Sequence, residues 1–479
     1  MAETVTDDRP LTFEDLTAWF AAGGKPASEF RVGAEHEKFV FRQGTHAPVP
    51  YEGEAGIHAL MTGLMRFGWT GTYEDRADGG QTLIGLNRGM ANVSLEPGGQ
   101  FELSGAPLAD MHEICSETGQ HLEEVKAVAQ ELGLGFLGLG FTPLLRRDEI
   151  PVMPKGRYKI MRNYMPKVGS LGLDMMFRTC TVQANLDFAD EADMVAKFRV
   201  SLALQPITTA LFANSPFIEG RPSGLLSSRA NVWTDTDADR TGMLNFVFED
   251  GFGFETYARY ALDVPMYFVK RRGLYIDVAG RSFRDFMKGE LKELPGERPT
   301  MKDWVDHTST IFPEVRLKQY LEMRGADAGS WSRLCALPAL WAGILYDGAA
   351  QAAAWDLCKA WTPEDRAGLR ADAARLGMKA QVAGRSVQDV AKDMLAIAHQ
   401  GLKRRNRLSG GMVDETNYLG ELEDIAQSGL TAADRMLELY HGPWAGDAGK
   451  AFEEFAYLVL PQISLTICGD LRNLRIKNL

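Results

Sequence analysis

Residues 91–108, ANVSLEPGGQFELSGAPL, decide how the chain is read, because they set Glu96 and Glu102 on an extended segment broken by Pro97, Gly98 and Gly99. Ser94 and Glu96 alternate with Val93 and Leu95 before the break, and Gln100, Glu102 and Ser104 alternate with Phe101 and Leu103 after it. The polar set therefore shares one face. Proline and glycine at the break predict a bulge or a bend. A single carboxylate on an apolar strand is ordinarily a solvated residue of an outer face. Other segments repeat the pattern, and the repetition points to a site.

RVGAEHEKFVF, residues 31–41, reads as a strand whose period of two puts Glu35 and Glu37 on one face, roughly 6.6 Å apart along the backbone. That spacing suits two metal ligands or one shared site, although for this pair taken alone an exposed edge strand charged for solubility is the commoner case. CTVQANLDF, residues 180–188, alternates cleanly, with Thr181, Gln183, Asn185 and Asp187 opposite Val182, Ala184, Leu186 and Phe188. Such a polar face meets water or lines a pocket. In RLKQYLEMRGAD, residues 316–327, Leu321 and Met323 face inward and Tyr320, Glu322 and Arg324 face the other way. An acid and a base two apart hold a metal-bound phosphate between them or form a cross-strand salt ladder. MPKGRYKIMRNYMPKVG, residues 153–169, interleaves Lys155, Arg157, Lys159, Arg162 and Lys167 with Tyr158 and Tyr164. Phosphate or carboxylate recognition and a solvated basic loop fit this composition about evenly.

Helices frame these strands. Thr12 with Asp15 predicts a capped start, Ile57, Leu60, Leu64 and Met65 form a stripe ended by Gly68, and residues 108–132 form a long helix stopped by Gly133, with His112 and His121 taken as surface residues. LGLGFLGLGF, residues 132–141, is not a dinucleotide loop, because it is itself strand-like and no helix or ribose-binding acid follows in βαβ context. Residues 190–213 read as a helix kinked at Pro206. Residues 225–240 read as a loop carrying Arg229 and Trp233, whose acid run lacks the glycine and terminal glutamate of a calcium loop. From about Leu334 the chain turns helical, with start signals at Thr362-Pro363, Ser386 and Thr431. We read residues 1–330 as a catalytic sheet-and-helix region and 331–479 as a mainly helical region packed on it in one integrated domain.

The chain has 479 residues, 45% hydrophobic and 24% charged, with a formal net charge of −12. This is globular composition, and the acidic balance argues against nucleic acid or an anionic membrane as partner. No apolar run approaches the roughly 20 residues needed to span a bilayer. The five cysteines show no CxxC spacing, which suggests neither a disulfide framework nor a zinc site. The start, MAETVTDDRP, is neither a signal nor a transit peptide, and the expected compartment is the cytoplasm. Glu35, Glu37, Glu96, Glu102 and Glu322 lie on three predicted strands, which one antiparallel sheet can bring together beside Gln183 and Asn185. Oxygen ligands without His or Cys clusters suit Mg²⁺ or Mn²⁺, the usual companions of ATP. No P-loop or kinase motif set is present.

Over about residues 30–445 the chain resembles glutamate-cysteine ligases of the plant and proteobacterial type. The resemblance rests on GAEHEKF, EPGGQFELSGAPL, MPKGRYKIMRNYMPKVG, GLDMMFRTCTVQANLDF, LALQPITTALFANSPF, WTDTDADRTGML, ALDVPMYFV, STIFPEVRLK and YLEMRGAD. It implies an α+β, glutamine-synthetase-like fold: a mostly antiparallel sheet forming a funnel-shaped active site, with packed helices. It implies ATP-dependent joining of the L-glutamate γ-carboxylate to the amino group of L-cysteine through γ-glutamyl phosphate, the first step of glutathione synthesis. On this resemblance Glu35, Glu37, Glu96, Glu102 and Glu322 hold Mg²⁺, with Gln183 a further ligand or neighbour. Arg324 steadies the transferring phosphoryl group, Lys38 assists at the phosphates, and Glu102 is one acceptor for the amine proton. Arg229 grips the glutamate α-carboxylate with Trp233 as a wall, and Thr181 and Tyr164 touch substrate. Val278 and Glu293 stand near the places where plant relatives carry a regulatory cysteine pair, so that switch is expected to be absent. Cys115 resembles half of a second pair and has no evident partner, so a reduced monomer or weak homodimer is expected. Two alternatives stay open: a γ-glutamyl ligase with another amine acceptor, and a non-catalytic sensor of glutamate or nucleotide.

Overall fold

The alternating segments become strands of one sheet. The structure, a computed structural model, describes residues 9–457; the acidic start and the tail from 458, with Cys468, lie outside the described residues. In chain order the sheet strands are β1 (Val32–Arg42), β2 (Thr70–Asp75), β3 (Gln81–Arg88), β4 (Ala91–Leu95), β5 (Phe101–Ser104), β6 (Leu134–Leu137), β7 (Thr181–Leu186), β8 (Val315–Leu317) and β9 (Leu321–Asp327). Their spatial order is β8-β9-β7-β1-β5-β4-β3-β2, with β6 paired to the end of β1. Every pairing among them is antiparallel.

The break at Pro97-Gly98-Gly99 is a full reversal, not a bend within one strand. Glu96 N–H donates to Gln100 O and Gly99 N–H to Glu96 O, each at 2.9 Å, and Gly99 takes the left-handed φ of +82° that glycine tolerates best. Ser94 then lies opposite Glu102. Directly opposed residues of an antiparallel pair share a face, so the polar sets of both arms stay together. RLKQYLEMRGAD is likewise a hairpin, with Arg316 opposite Glu322. The register continues the polar face across the middle of the sheet: Glu322 opposes Asn185, Gln183 opposes Glu35, and Glu37 opposes Glu102.

The reverse face is the core. Val182, Ala184, Met323, Phe101 and Leu103 are buried there, and the helices Met111–Leu132 and Trp331–Leu345 cover it. Residues 333–345 of the second helix are all buried, as expected of a helix apolar on every side. The predicted starts hold, with Thr362, Ser386 and Thr431 each accepting a backbone N–H three residues on. One hydrophobic cluster runs from Leu16 to Ala426. Among the described residues no helix is long and apolar enough to cross a membrane.

Two expectations are corrected. His121 is buried, its ring stacked 6.3 Å from that of Phe101, because the helical period from Ile114 through Thr118 lands on it. Cys115 does have a partner: it is disulfide-bonded to Cys335, with Cα atoms 5.7 Å apart, which ties the two covering helices together. Their sequence separation of 220 left no local signal.

Candidate active site

Acids dominate the centre of the polar face. Asn185 Nδ2 donates to Glu35 Oε1 at 2.7 Å, and the Thr181 backbone N–H donates to Glu37 Oε2 at 2.9 Å. Burial, and then the charges of Glu322 and Glu102, push the Glu35 carboxyl up to about 7. Burial, and then Glu96 and Glu102, push Glu37 well above the carboxylate range against the pull of Arg229. Glu102 is also raised, by burial and Glu96, with Lys155 and Arg157 opposing. Like charges buried side by side are tolerable only with counter-charge close by. Glu102 belongs to both acid groups, one with Glu35 and one with Glu37 and Glu96.

Cations enclose the acids. Arg324 Nη1 donates to Gln183 Oε1 at 2.6 Å and to Glu322 Oε1 at 3.0 Å. Arg316 reaches across the hairpin, donating through Nη2 to Glu322 Oε1 at 2.9 Å and through Nε to Oε2. Burial raises Glu322, but Arg316, Lys318 and Arg324 outweigh it and hold the carboxyl well below the usual range. At the edge of the face, Ser227 caps the short Ser228–Val232 helix and presents Arg229, whose Nη2 donates to Arg324 O at 2.8 Å. Arg229 Nε and Trp233 Nε1 are buried, and no hydrogen-bond partner reaches them among the described residues. Both residues line a cavity with Phe312, Glu314, Arg324 and Gly325.

Residues 31–454 match the sequence family described as glutamate-cysteine ligase family 2. The chain belongs to that family. A glutamate-cysteine ligase named as chloroplastic from Nicotiana tabacum is 55% identical over 456 residues, covering 95% of this chain and 85% of the relative. Its counterpart from Arabidopsis thaliana is 54% identical, with 95% and 85% covered. A solved glutamate-cysteine ligase from Francisella tularensis, in complex with AMP, has a TM-score of 0.53 over 90% of each chain at 12% identity, which speaks to the fold. The fold expectation is met. The cytoplasmic expectation is overturned, because the close relatives are named as chloroplastic enzymes; a compartment read from amino-terminal composition alone does not stand against them.

Within this ligase fold several predicted residues lie elsewhere than expected. Lys38 falls on the reverse face by the same period of two that groups Glu35 with Glu37. It is fully buried there, its Nζ 3.0 Å from His36 Nδ1. The Thr181 hydroxyl donates to Ala326 O at 2.8 Å and so faces strand β9. Tyr164 lines a different cavity, with Lys167, Asp277, Arg281 and Glu293. Glu322, expected as a metal ligand, has both oxygens taken by arginines, which is the salt-ladder arrangement.

Among the described residues no three His, Cys, Asp or Glu side chains converge closely enough to cage an ion. The remaining donors, Glu35, Glu37, Glu96 and Glu102, are nevertheless oxygen ligands that repel one another. That chemistry fits a hard divalent cation whose shell is completed by phosphate and water, the habit of Mg²⁺. Lys155 and Arg157 went unassigned in the sequence, where only their basic composition showed. Lys155 Nζ donates to Ser94 Oγ at 3.0 Å and Leu95 O at 2.9 Å, which brings the basic segment onto the acid face.

Proposed function

We propose that the ligase joins the γ-carboxylate of L-glutamate to the amino group of L-cysteine at this polar face, producing γ-glutamylcysteine, ADP and phosphate. The observation that supports this most is the cluster of Glu35 and Glu37 on β1, Glu102 opposite on β5 and Glu96 in the turn before it, with Arg229 and Arg324 at their edge. A carboxylate is a poor acyl donor at neutral pH, so it must first be activated. A γ-carboxylate oxygen attacks the γ-phosphorus of ATP, the bond to the bridging oxygen breaks, and ADP leaves. The cysteine amine then attacks the acyl carbon, the carbon–oxygen bond breaks, and phosphate departs with one former carboxylate oxygen. The amine proton passes to the phosphate or to Glu102.

Glu35, Glu37, Glu96 and Glu102 would hold Mg²⁺, or Mn²⁺, which supplies charge neutralisation and alignment at the phosphates when bound. Thr181 N–H and Asn185 fix the directions of Glu37 and Glu35. Gln183 and Glu322 hold the Arg324 guanidinium in place before substrate arrives, and such preorganised charge is worth most where charge moves in the transition state. Arg229 presents a planar fork to the glutamate α-carboxylate. Lys155 and Arg157 add positive charge beside Glu96 and Glu102. In this reading the described residues from 331 to 457 serve as the scaffold behind the sheet.

ADP release with ATP, Mg²⁺ and L-glutamate, compared across L-cysteine, other amines and no acceptor, tests the proposal. Cysteine-dependent release with γ-glutamylcysteine as product is the expected result. Turnover confined to another amine would make this a different γ-glutamyl ligase, and no turnover with any acceptor would leave a binding protein.

A further inference from the structure

The cavity beside Arg229 carries a charge that the proposed chemistry has not used. Glu314 lies on its wall, 14% exposed, with Oε1 accepting from Arg370 Nε at 2.7 Å. No hydrogen bond from the described residues reaches its Oε2. That oxygen is placed closely all the same. A Cβ at Gly325 would stand 2.8 Å from Glu314 Oε2 and 2.6 Å from Gln205 Nε2, so the carboxylate lies against the α-carbon of residue 325. The carbonyl just before it, Arg324 O, is the anchor of Arg229 Nη2. One short stretch of β9 thus has a free acceptor on one side and a guanidinium on the other. Arg229 and Trp233 line the same cavity, and among the described residues no hydrogen-bond partner reaches the buried Arg229 Nε or Trp233 Nε1.

Arg229 and the Glu314 carboxylate, both on the wall of this cavity, match in sign the two charged groups on an amino acid's α-carbon. We infer that Glu314 receives the α-ammonium group of the bound glutamate opposite Arg229, and thereby selects an α-amino acid over a plain dicarboxylate. The inference rests on the proposed function and deepens it. Arg370 acts as the positioning residue: it holds one oxygen of Glu314, also donates to Trp233 O at 3.1 Å, and leaves the other oxygen for the ligand. The rival role is a purely structural ion pair that ties the Pro363–Leu376 helix to the sheet, which accounts for Oε1 and leaves Oε2 beside Gly325 without a role.

The test compares kcat/KM for L-glutamate with that for glutarate, which lacks the α-amino group, using ATP and L-cysteine with the wild type, Glu314→Gln and Gly325→Ala. A site built to bond a polar group discriminates strongly through it, so Glu314→Gln is expected to lower kcat/KM for L-glutamate by ~100-fold, chiefly through KM, and to leave glutarate within about 3-fold or improve it. Gly325→Ala, which displaces the same oxygen, is expected to shift the ratio in the same direction. A parallel fall for both acids, or an unchanged L-glutamate KM, overturns the inference and leaves Glu314 structural. A wild type that releases no ADP with L-glutamate and L-cysteine is a separate outcome, which overturns the underlying reading and this one with it.

Discussion

Glu102→Gln is expected to lower kcat for ADP release by ~1,000-fold or more while the protein still folds. Glu102 opposes Glu37 across β1 and β5, and its charge also bears on Glu35. Glu102 bears on Glu35 and on Glu37 alike, so its loss weakens both positions where a cation would meet the phosphates. Removing one donor of preorganised electrostatic stabilisation commonly costs about 100- to 1,000-fold in kcat, and this residue supports two positions. The amide keeps the shape and relieves repulsion among buried carboxylates, so the melting temperature should hold or rise. Steady-state ADP release and a thermal melt on the same preparation check both halves. Activity within about 10-fold of wild type would remove Glu102 from the chemistry.

Glu322→Gln is expected to damage stability and activity together. Arg316 and Arg324 both donate to this fully buried carboxylate. Breaking a buried pair by removing one partner typically costs about 3–5 kcal/mol, because the other charge is left uncompensated. The loss should appear in denaturant unfolding. Arg324 would keep only Gln183 as its side-chain anchor, and kcat should fall as well. The double variant Arg316→Met with Glu322→Leu separates the two effects, since replacing a whole buried pair with apolar groups is often neutral. It is expected to regain most of the stability without regaining activity. Recovery of both would reduce the ladder to a scaffold.

Much of this face was legible because a strand alternates with period two. Glu35 with Glu37, Gln183 with Asn185, and Glu322 with Arg324 could each be assigned to one side from local sequence alone. The same rule excludes Lys38, whose assignment to the phosphates came from resemblance and not from its place on the strand. The reversal at residues 97–99 was marked by proline and glycine, but alternation reads alike through a bend and a turn. Pairings set by register or by packing carried no local mark: Arg316 meets Glu322 only through the hairpin register, and Cys115 finds Cys335 across the core. Lys155 and Arg157 show the limit of composition, which reports a basic segment and not the acids it faces. Glu314 was invisible for a related reason. Its place depends on a glycine one strand away and on Arg370 from the helical half of the chain.

The most direct measurement of carboxylate activation follows an oxygen atom. L-glutamate labelled with ¹⁸O in its γ-carboxylate is turned over with ATP, Mg²⁺ and L-cysteine, and the released phosphate is analysed by mass spectrometry. Phosphate carrying one ¹⁸O is the expected result, because the oxygen that attacks phosphorus leaves with it when the amine displaces the acyl phosphate. Unlabelled phosphate, formed alongside γ-glutamylcysteine, would contradict the account.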